Sequence, residues 1–137
     1  FEFTVKTKVD KKIEVDCLQT NLMLSEKYSG WITDKEKGFF PSFKEDIADD
    51  WDRIWSGGNN TRYIAVAAES ADKERLPSVI FFPQKQNPDW RLNIVNSDIY
   101  HRGRVLQYLS SQRQTIFPGE YPYFYGGIHF TPLQKAL

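Results

Sequence analysis

The segment RYIAVAAE, residues 62–69, is nearly all apolar, and two further strand-like segments follow it, SVIFF at 78–82 and WRLNIVN at 90–96. Pro83 ends the second segment, and the third alternates apolar with more polar residues. The connections are short and polar, which favours antiparallel pairing of segments that follow one another in the chain. The sequence therefore predicts a three-stranded meander, with 62–69 as a central strand.

Both ends of the chain also predict paired strands. At the start, FEFTVKTKVD and KKIEVDC alternate apolar and polar residues, which predicts an N-terminal hairpin with its turn at 10–12. Near the end, YFYGGIHF predicts a C-terminal aromatic hairpin, because Gly126 and Gly127 can adopt the positive φ angles of a two-residue turn. Between these ends, residues 18–41 predict an irregular covering segment with a charged turn at 34–38.

Two segments predict helices. SFKE fits a capping box, with Ser42 as N-cap and Glu45 three residues later, and Gly57–Gly58 would end that helix. Its apolar residues recur at helical spacing, namely Phe43, Ile47, Trp51 and Ile54. A second helix is predicted over 98–113, with three residues turned inward, Val105, Leu106 and Leu109. The acidic face of the first helix is interpreted as solvated, with a hard-cation site or a docking surface as alternatives.

These elements predict a single α+β domain over residues 1–137, with two main helices packed on an antiparallel sheet. The order of hairpin, helix and meander is similar to that of PAS-like and profilin-like domains, which implies a ligand-sensing domain as one alternative. Because residue 1 is Phe and not Met, we expect a fragment or mature form of a longer protein. No apolar run approaches the roughly 20 residues of a membrane-spanning helix.

Composition narrows the class of protein. The 137 residues are 40% hydrophobic and 15% aromatic, which is enough for a core without disulfides or metals. Equal numbers of acidic and basic residues, 18 each, make nucleic acid a less favoured partner than another protein.

Cys17, the one cysteine, falls on an inward position of the second strand pattern. Neither a cofactor loop nor metal-ligand spacing is present, so we expect no cofactor and no metal. The compartment is not determined.

One group of residues has the chemistry of a metal-independent nuclease or phosphodiesterase, as in toxin domains. His or Glu moves the proton in such enzymes and Arg holds the phosphate. The candidates for this role are His101, His129, Arg102, Arg104 and Glu120. An ordinary amphipathic helix with a solvated basic face is the favoured interpretation of the same arginines.

The aromatic stretch FPGEYPYFYGGIHFTP, residues 117–132, is either a flap that closes the core or a contact surface. Tyrosine is favoured at recognition surfaces because it gives large contact area at low entropy cost. The candidate binding residues are Tyr121, Phe124, His129, Arg102, Arg104 and Tyr108. Because no catalytic group is complete, the sequence favours a non-enzymatic binding domain of a larger or membrane-anchored protein, with another protein as partner.

Overall fold

The computed structural model describes residues 1–45, 51–58, 60–69, 76–83 and 89–131, without the side chains of 3, 123–125 and 129–131. All regular elements in this part of the chain are strands. They are β1 (Glu2–Val9), β2 (Ile13–Val15), β3 (Leu18–Leu24), β4 (Tyr28–Thr33), β5 (Lys37–Phe39), β6 (Asp52–Ser56), β7 (Ile64–Ala68), β8 (Ser78–Pro83), β9 (Arg91–Asn96), β10 (Arg104–Ser110), β11 (Gln114–Ile116) and β12 (Gly119–Thr131).

The strands form two main antiparallel sheets. A six-stranded sheet has the order β1-β12-β8-β7-β4-β5, and a four-stranded sheet has the order β3-β10-β9-β6. One hydrophobic cluster joins the inner faces of both, including Ile64 and Phe81 from the first sheet and Ile94 and Leu106 from the second. Strands β2 and β11 form a separate pair. The fold is therefore an all-β sandwich, in which two sheets pack face to face over one core.

The predicted α+β class is wrong, because neither predicted helix exists in the described residues. Residues 42–45 are irregular and 52–56 form β6, whose bulge between Arg53 and Trp55 breaks the period-two pattern; 46–50 lie outside the described residues. The second predicted helix is a turn followed by β10, in which all seven residues are buried. Because both faces of β10 are buried, apolar residues occupy adjacent positions, and their spacing resembles that of an amphipathic helix.

The three central segments are strands, but they do not form a meander. Strands β7 and β8 pair with each other, whereas β9 pairs with β10 and β6 in the second sheet. The predicted N-terminal hairpin is also wrong, because β1 pairs with β12 and β2 with β11. Cys17, predicted to face inward, is exposed. The segment expected to be irregular contains β3 and the β4–β5 hairpin, whose turn falls within the predicted 34–38.

The predicted C-terminal hairpin is wrong as well, because residues 119–131 are one continuous strand between β1 and β8. Gly126 and Gly127 lie inside it, and Ile128 N donates to Phe1 O at 2.8 Å. A Cβ on Gly127 would lie 2.6 Å from both Phe1 O and the ring of Phe82. Glycine is therefore needed at position 127 for close packing and not for a turn.

Candidate functional site

An apolar groove of about 710 Å³ lies on the outer face of the six-stranded sheet, across β5, β4, β7 and β8. Directly paired residues of antiparallel strands share a face, so the registers place its lining in two rows across the sheet. One row is Phe39, Gly30, Ala67 and Ser78, and the other is Lys37, Ile32, Ala65 and Ile80. Both rows face away from the core, since Ile64, Val66, Val79 and Phe81 on the same strands are buried within it.

The residue sizes in these rows create the depression. Small residues in the middle of the two rows, namely Gly30, Ala65 and Ala67, leave space above the sheet. Phe39 and Ile32 border that space, and they are 84% and 45% exposed. An exposed apolar surface with a concave centre is typical of an interaction site.

Trp31 lies beneath the β5 edge of this groove. A Cβ on Gly38 would lie 2.5 Å from the Trp31 ring, so the missing side chain at 38 is what lets the indole lie against β5. The Trp31 and Trp55 ring centroids are 5.8 Å apart, and Trp55 Nε1 donates to Glu36 at 2.6 Å. Trp31 Nε1 is buried and has no hydrogen-bond partner among the described residues. Because Trp31 lines the groove, a change in its fluorescence can report binding there.

Arg104, at the start of β10, is a buried cation held by neutral groups. Its Nε donates to Tyr28 O at 3.0 Å, and its Nη1 donates to Pro41 O and to Asn96 Oδ1, each at 2.9 Å. The rings of Phe40 and Phe43 lie 4.8 and 4.4 Å from its guanidinium carbon. Burial lowers the pKa of Arg104, and the charge of Glu26 acts in the opposite direction.

A second cavity, of about 340 Å³, adjoins this guanidinium and is called here the arginine pocket. Its lining comes from three separate segments and consists of Glu26, Ser42, Phe43, Ile99, Arg102 and Arg104. Arg102 Nη1 lies 3.7 Å from Glu26 Oε2, and both side chains are about half exposed. Arg102 has a φ of 47°, in the left-handed region.

The turn that carries Arg102 is fixed by Asp98. Its Oδ1 accepts from the backbone N–H of Tyr100 and of His101, each at 2.9 Å, and His101 Nδ1 lies 2.7 Å from Oδ2. The side-chain hydrogen bond with His101 is the largest of the effects that lower the pKa of Asp98. The role of this His–Asp contact is to hold the turn over the arginine pocket.

The structure brings together some of the predicted site residues and separates others. Arg102 and Arg104 share the arginine pocket, with His101 one position before Arg102. Tyr108 is buried in the core and stacks on Trp90 at 5.1 Å. Tyr121 is half buried and donates to Phe117 O at 2.8 Å.

The other predicted residues lie on β12 of the six-stranded sheet. Glu120 is exposed, and its backbone pairs with Lys8. The backbones of Phe124 and His129 pair with Val5 and Ile80, and their side chains lie outside the described part. The proposed pair of histidines is thus divided between two sheets.

Of the predicted acidic face, the structure describes Glu45, which is exposed, and Asp52, which forms an ion pair with Lys44 at 3.3 Å; residues 46–50 lie outside the described residues. Across 1–45, 51–58, 60–69, 76–83 and 89–131, no three His, Cys, Asp or Glu residues are grouped as a metal site would require. Sequence reasoning did not predict the groove, although alternation of alanine with isoleucine and valine in 64–68 is its local signal.

Comparison with known proteins finds no matching family model, no similar curated protein and no similar solved structure. In the described ranges, no helix is long and apolar enough to cross a membrane. The groove and the arginine pocket are the two candidate sites in the described part of the chain.

Proposed function

We propose that this chain is a non-enzymatic binding domain whose groove takes an extended apolar segment of another protein. The observation that supports this function is the pair of cross-strand rows on the outer face of the six-stranded sheet. Small residues form the floor at Ala65 and Ala67, and the border at Phe39 and Ile32 is apolar and exposed. Such a surface gains stability when a partner removes it from water, at about 25 cal/mol per Å² of apolar area.

The lining also indicates what the bound segment would contain. A volume of about 710 Å³ is within the range of about 300–1,000 Å³ that is typical of ligand sites. Of the described residues around the groove, Lys37 alone carries a charge, and it stands at the edge strand β5. A segment with two or three bulky apolar side chains and one acidic side chain near Lys37 complements this arrangement.

Enzymatic function has less support from the same surface. General acid–base catalysis needs an ionisable group positioned near the reacting atoms, and Lys37 is the one charged side chain in the described lining of the groove. The nuclease hypothesis remains the alternative, with His101 on the β9–β10 turn and His129 and Glu120 on β12. The element order that suggested a PAS-like or profilin-like sensor is absent, since the described fold has strands only.

The test begins with a random dodecapeptide library panned on the wild-type protein. We expect selected peptides to share apolar residues at alternate positions with an acidic residue beside them. Affinity is then measured by Trp fluorescence and calorimetry for the wild type and for two groove variants, Phe39→Asp and Ala67→Leu. Loss of a central contact of about 2 kcal/mol corresponds to roughly 30-fold weaker binding.

Met23→Asp is the matched control, because Met23 is also an exposed apolar residue, at 50%, but lies on β3 of the other sheet. Its affinity for the peptides is expected to stay within about twofold of wild type. Equal binding to wild type and Phe39→Asp would place the peptides elsewhere and overturn the proposal. Sedimentation that shows a dimer abolished by Phe39→Asp would overturn it too, because a second copy would then be the occupant.

A further inference from the structure

The geometry points to a second, independent site: the arginine pocket binds the carboxylate of a small organic acid. The site lies between the β3–β4 turn, residues 42–43 and the β9–β10 turn, whereas the groove lies on β4, β5, β7 and β8. The inference therefore does not rest on the proposed docking of a partner protein. It rests on a buried cation whose hydrogen-bonding capacity is only partly used.

The guanidinium of Arg104 has five N–H donors, and three of them have acceptors. Nε donates to Tyr28 O, and both Nη1 hydrogens are used by Pro41 O and Asn96 Oδ1. Among the described residues, no acceptor lies within hydrogen-bonding distance of Nη2. Arg104 is only 8% exposed, but Nη2 is not among the described side-chain atoms that are both fully buried and without a hydrogen-bond partner. Nη2 therefore retains contact with open space, and the arginine pocket is the cavity that Arg104 lines.

The surroundings of Nη2 favour an anion. Among the described residues, no carboxylate forms an ion pair or hydrogen bond with Arg104, which is unusual for a buried charge, since buried ions are generally paired. The ring centroids of Phe40 and Phe43 lie 4.8 and 4.4 Å from the guanidinium carbon, so the cation has aromatic neighbours that do not neutralise its charge. An oxyanion that accepts from Nη2 would complete the hydrogen bonds of Arg104 and neutralise its charge.

The charge of the pocket favours a monoanion. Among the described lining residues, Arg102 and Arg104 contribute two positive charges and Glu26 one negative charge, which leaves one net positive charge. A carboxylate matches that charge, whereas a phosphate dianion carries twice as much negative charge and would be repelled more strongly by Glu26. Phe43 and Ile99 add apolar lining, and about 340 Å³ holds a molecule the size of benzoate. The predicted ligand is therefore a carboxylate attached to a small apolar group.

The test follows the Arg104 Nε–Hε resonance by NMR while sodium benzoate is added, with sodium chloride at matched ionic strength as reference. We expect a saturable shift with benzoate and none with chloride. Sodium phosphate is the competing probe. Tighter binding of phosphate than of benzoate would overturn the carboxylate assignment, and an unchanged Arg104 resonance with benzoate would overturn the site itself.

Two charge variants make the test sharper, because they are predicted to act in opposite directions. Glu26→Gln removes the competing carboxylate and is expected to tighten benzoate binding about two- to fivefold, whereas Arg102→Gln is expected to weaken it by a similar factor. Both side chains are about half exposed, so both variants should fold. Arg113→Gln removes an exposed cation on another segment and should leave the affinity unchanged. Equal effects of Arg102→Gln and Arg113→Gln would indicate general charge screening and contradict the proposal.

Discussion

Replacement of Arg104 by methionine is expected to destabilise the protein by about 3 kcal/mol. Methionine keeps an apolar stem near Phe40 and Phe43 but donates no hydrogen bond. Pro41 O keeps the donor Asn96 Nδ2 at 3.0 Å, so two acceptors lose their bond to Arg104, namely Tyr28 O and Asn96 Oδ1. Each buried acceptor left without its donor costs about 1–3 kcal/mol. For two acceptors the sum is about 2–6 kcal/mol, and release of the buried charge offsets part of it, which leaves a value in its lower half.

Urea denaturation measures this loss. With a slope of about 2 kcal/mol per molar, a loss of about 3 kcal/mol lowers the unfolding midpoint by about 1.5 M. The matched control is Arg113→Met, because Arg113 is exposed and its ion pairs with Glu14 and Asp16 lie at the surface. Its midpoint should move by less than about 0.3 M. If Arg104→Met moves the midpoint no further than this control does, the buried hydrogen bonds of Arg104 do not stabilise the fold as argued.

Two further predictions concern the backbone and the pH response. Gly127→Ala is expected to lower the free energy of unfolding by about 1–3 kcal/mol, because the new Cβ would meet Phe1 O and Phe82. Gly58→Ala is the control, because Gly58 has open space around it, and its urea midpoint should change little. Equal effects of the two variants would contradict the close packing of β12. The lowered pKa of Asp98 means that its ionised form stabilises the fold above the ordinary value of 3.8 and that this contribution is lost as the pH falls through the lower folded value. The stability difference between wild type and Asp98→Asn should therefore stay level from about pH 7 to about pH 5 and shrink as the pH falls below 3.8, and a difference that stays constant there would refute the role of the His101 contact.

The sequence was sufficient to predict several strands but not their partners. Segments 62–69, 78–82 and 90–96 all contain strands, because apolar and β-branched residues are concentrated there between polar turns. Pairing of β1 with β12 joins residues more than 100 positions apart, and neither segment carries a local signal for such a partner. Strand β10 was mistaken for a helix because burial of both faces removes the period of two.

The arginine pocket was partly predictable, whereas the groove was not. Arg102 and Arg104 were predicted to hold a phosphate, and both line the pocket, but Phe40 and Phe43 come from a segment about 60 residues earlier. In the groove, Ala65 and Ala67 alternate with buried Ile64 and Val66, which resembles any apolar run. Only the register with Gly30 and Phe39 shows that these alanines form the floor of a depression.

The pairing of β1 with β12 also has a consequence for folding during synthesis. Strand β1 has β12 as its neighbour in the sheet, and β12 ends at residue 131. About 120 further residues must therefore be synthesised after β1 before its partner strand is complete. At about 5–20 residues per second this interval is roughly 6–24 s. During that time β1 is an unpaired strand that other nascent chains can contact. Lys6 and Lys8 are the type of charged residue that discourages such contacts along a strand edge.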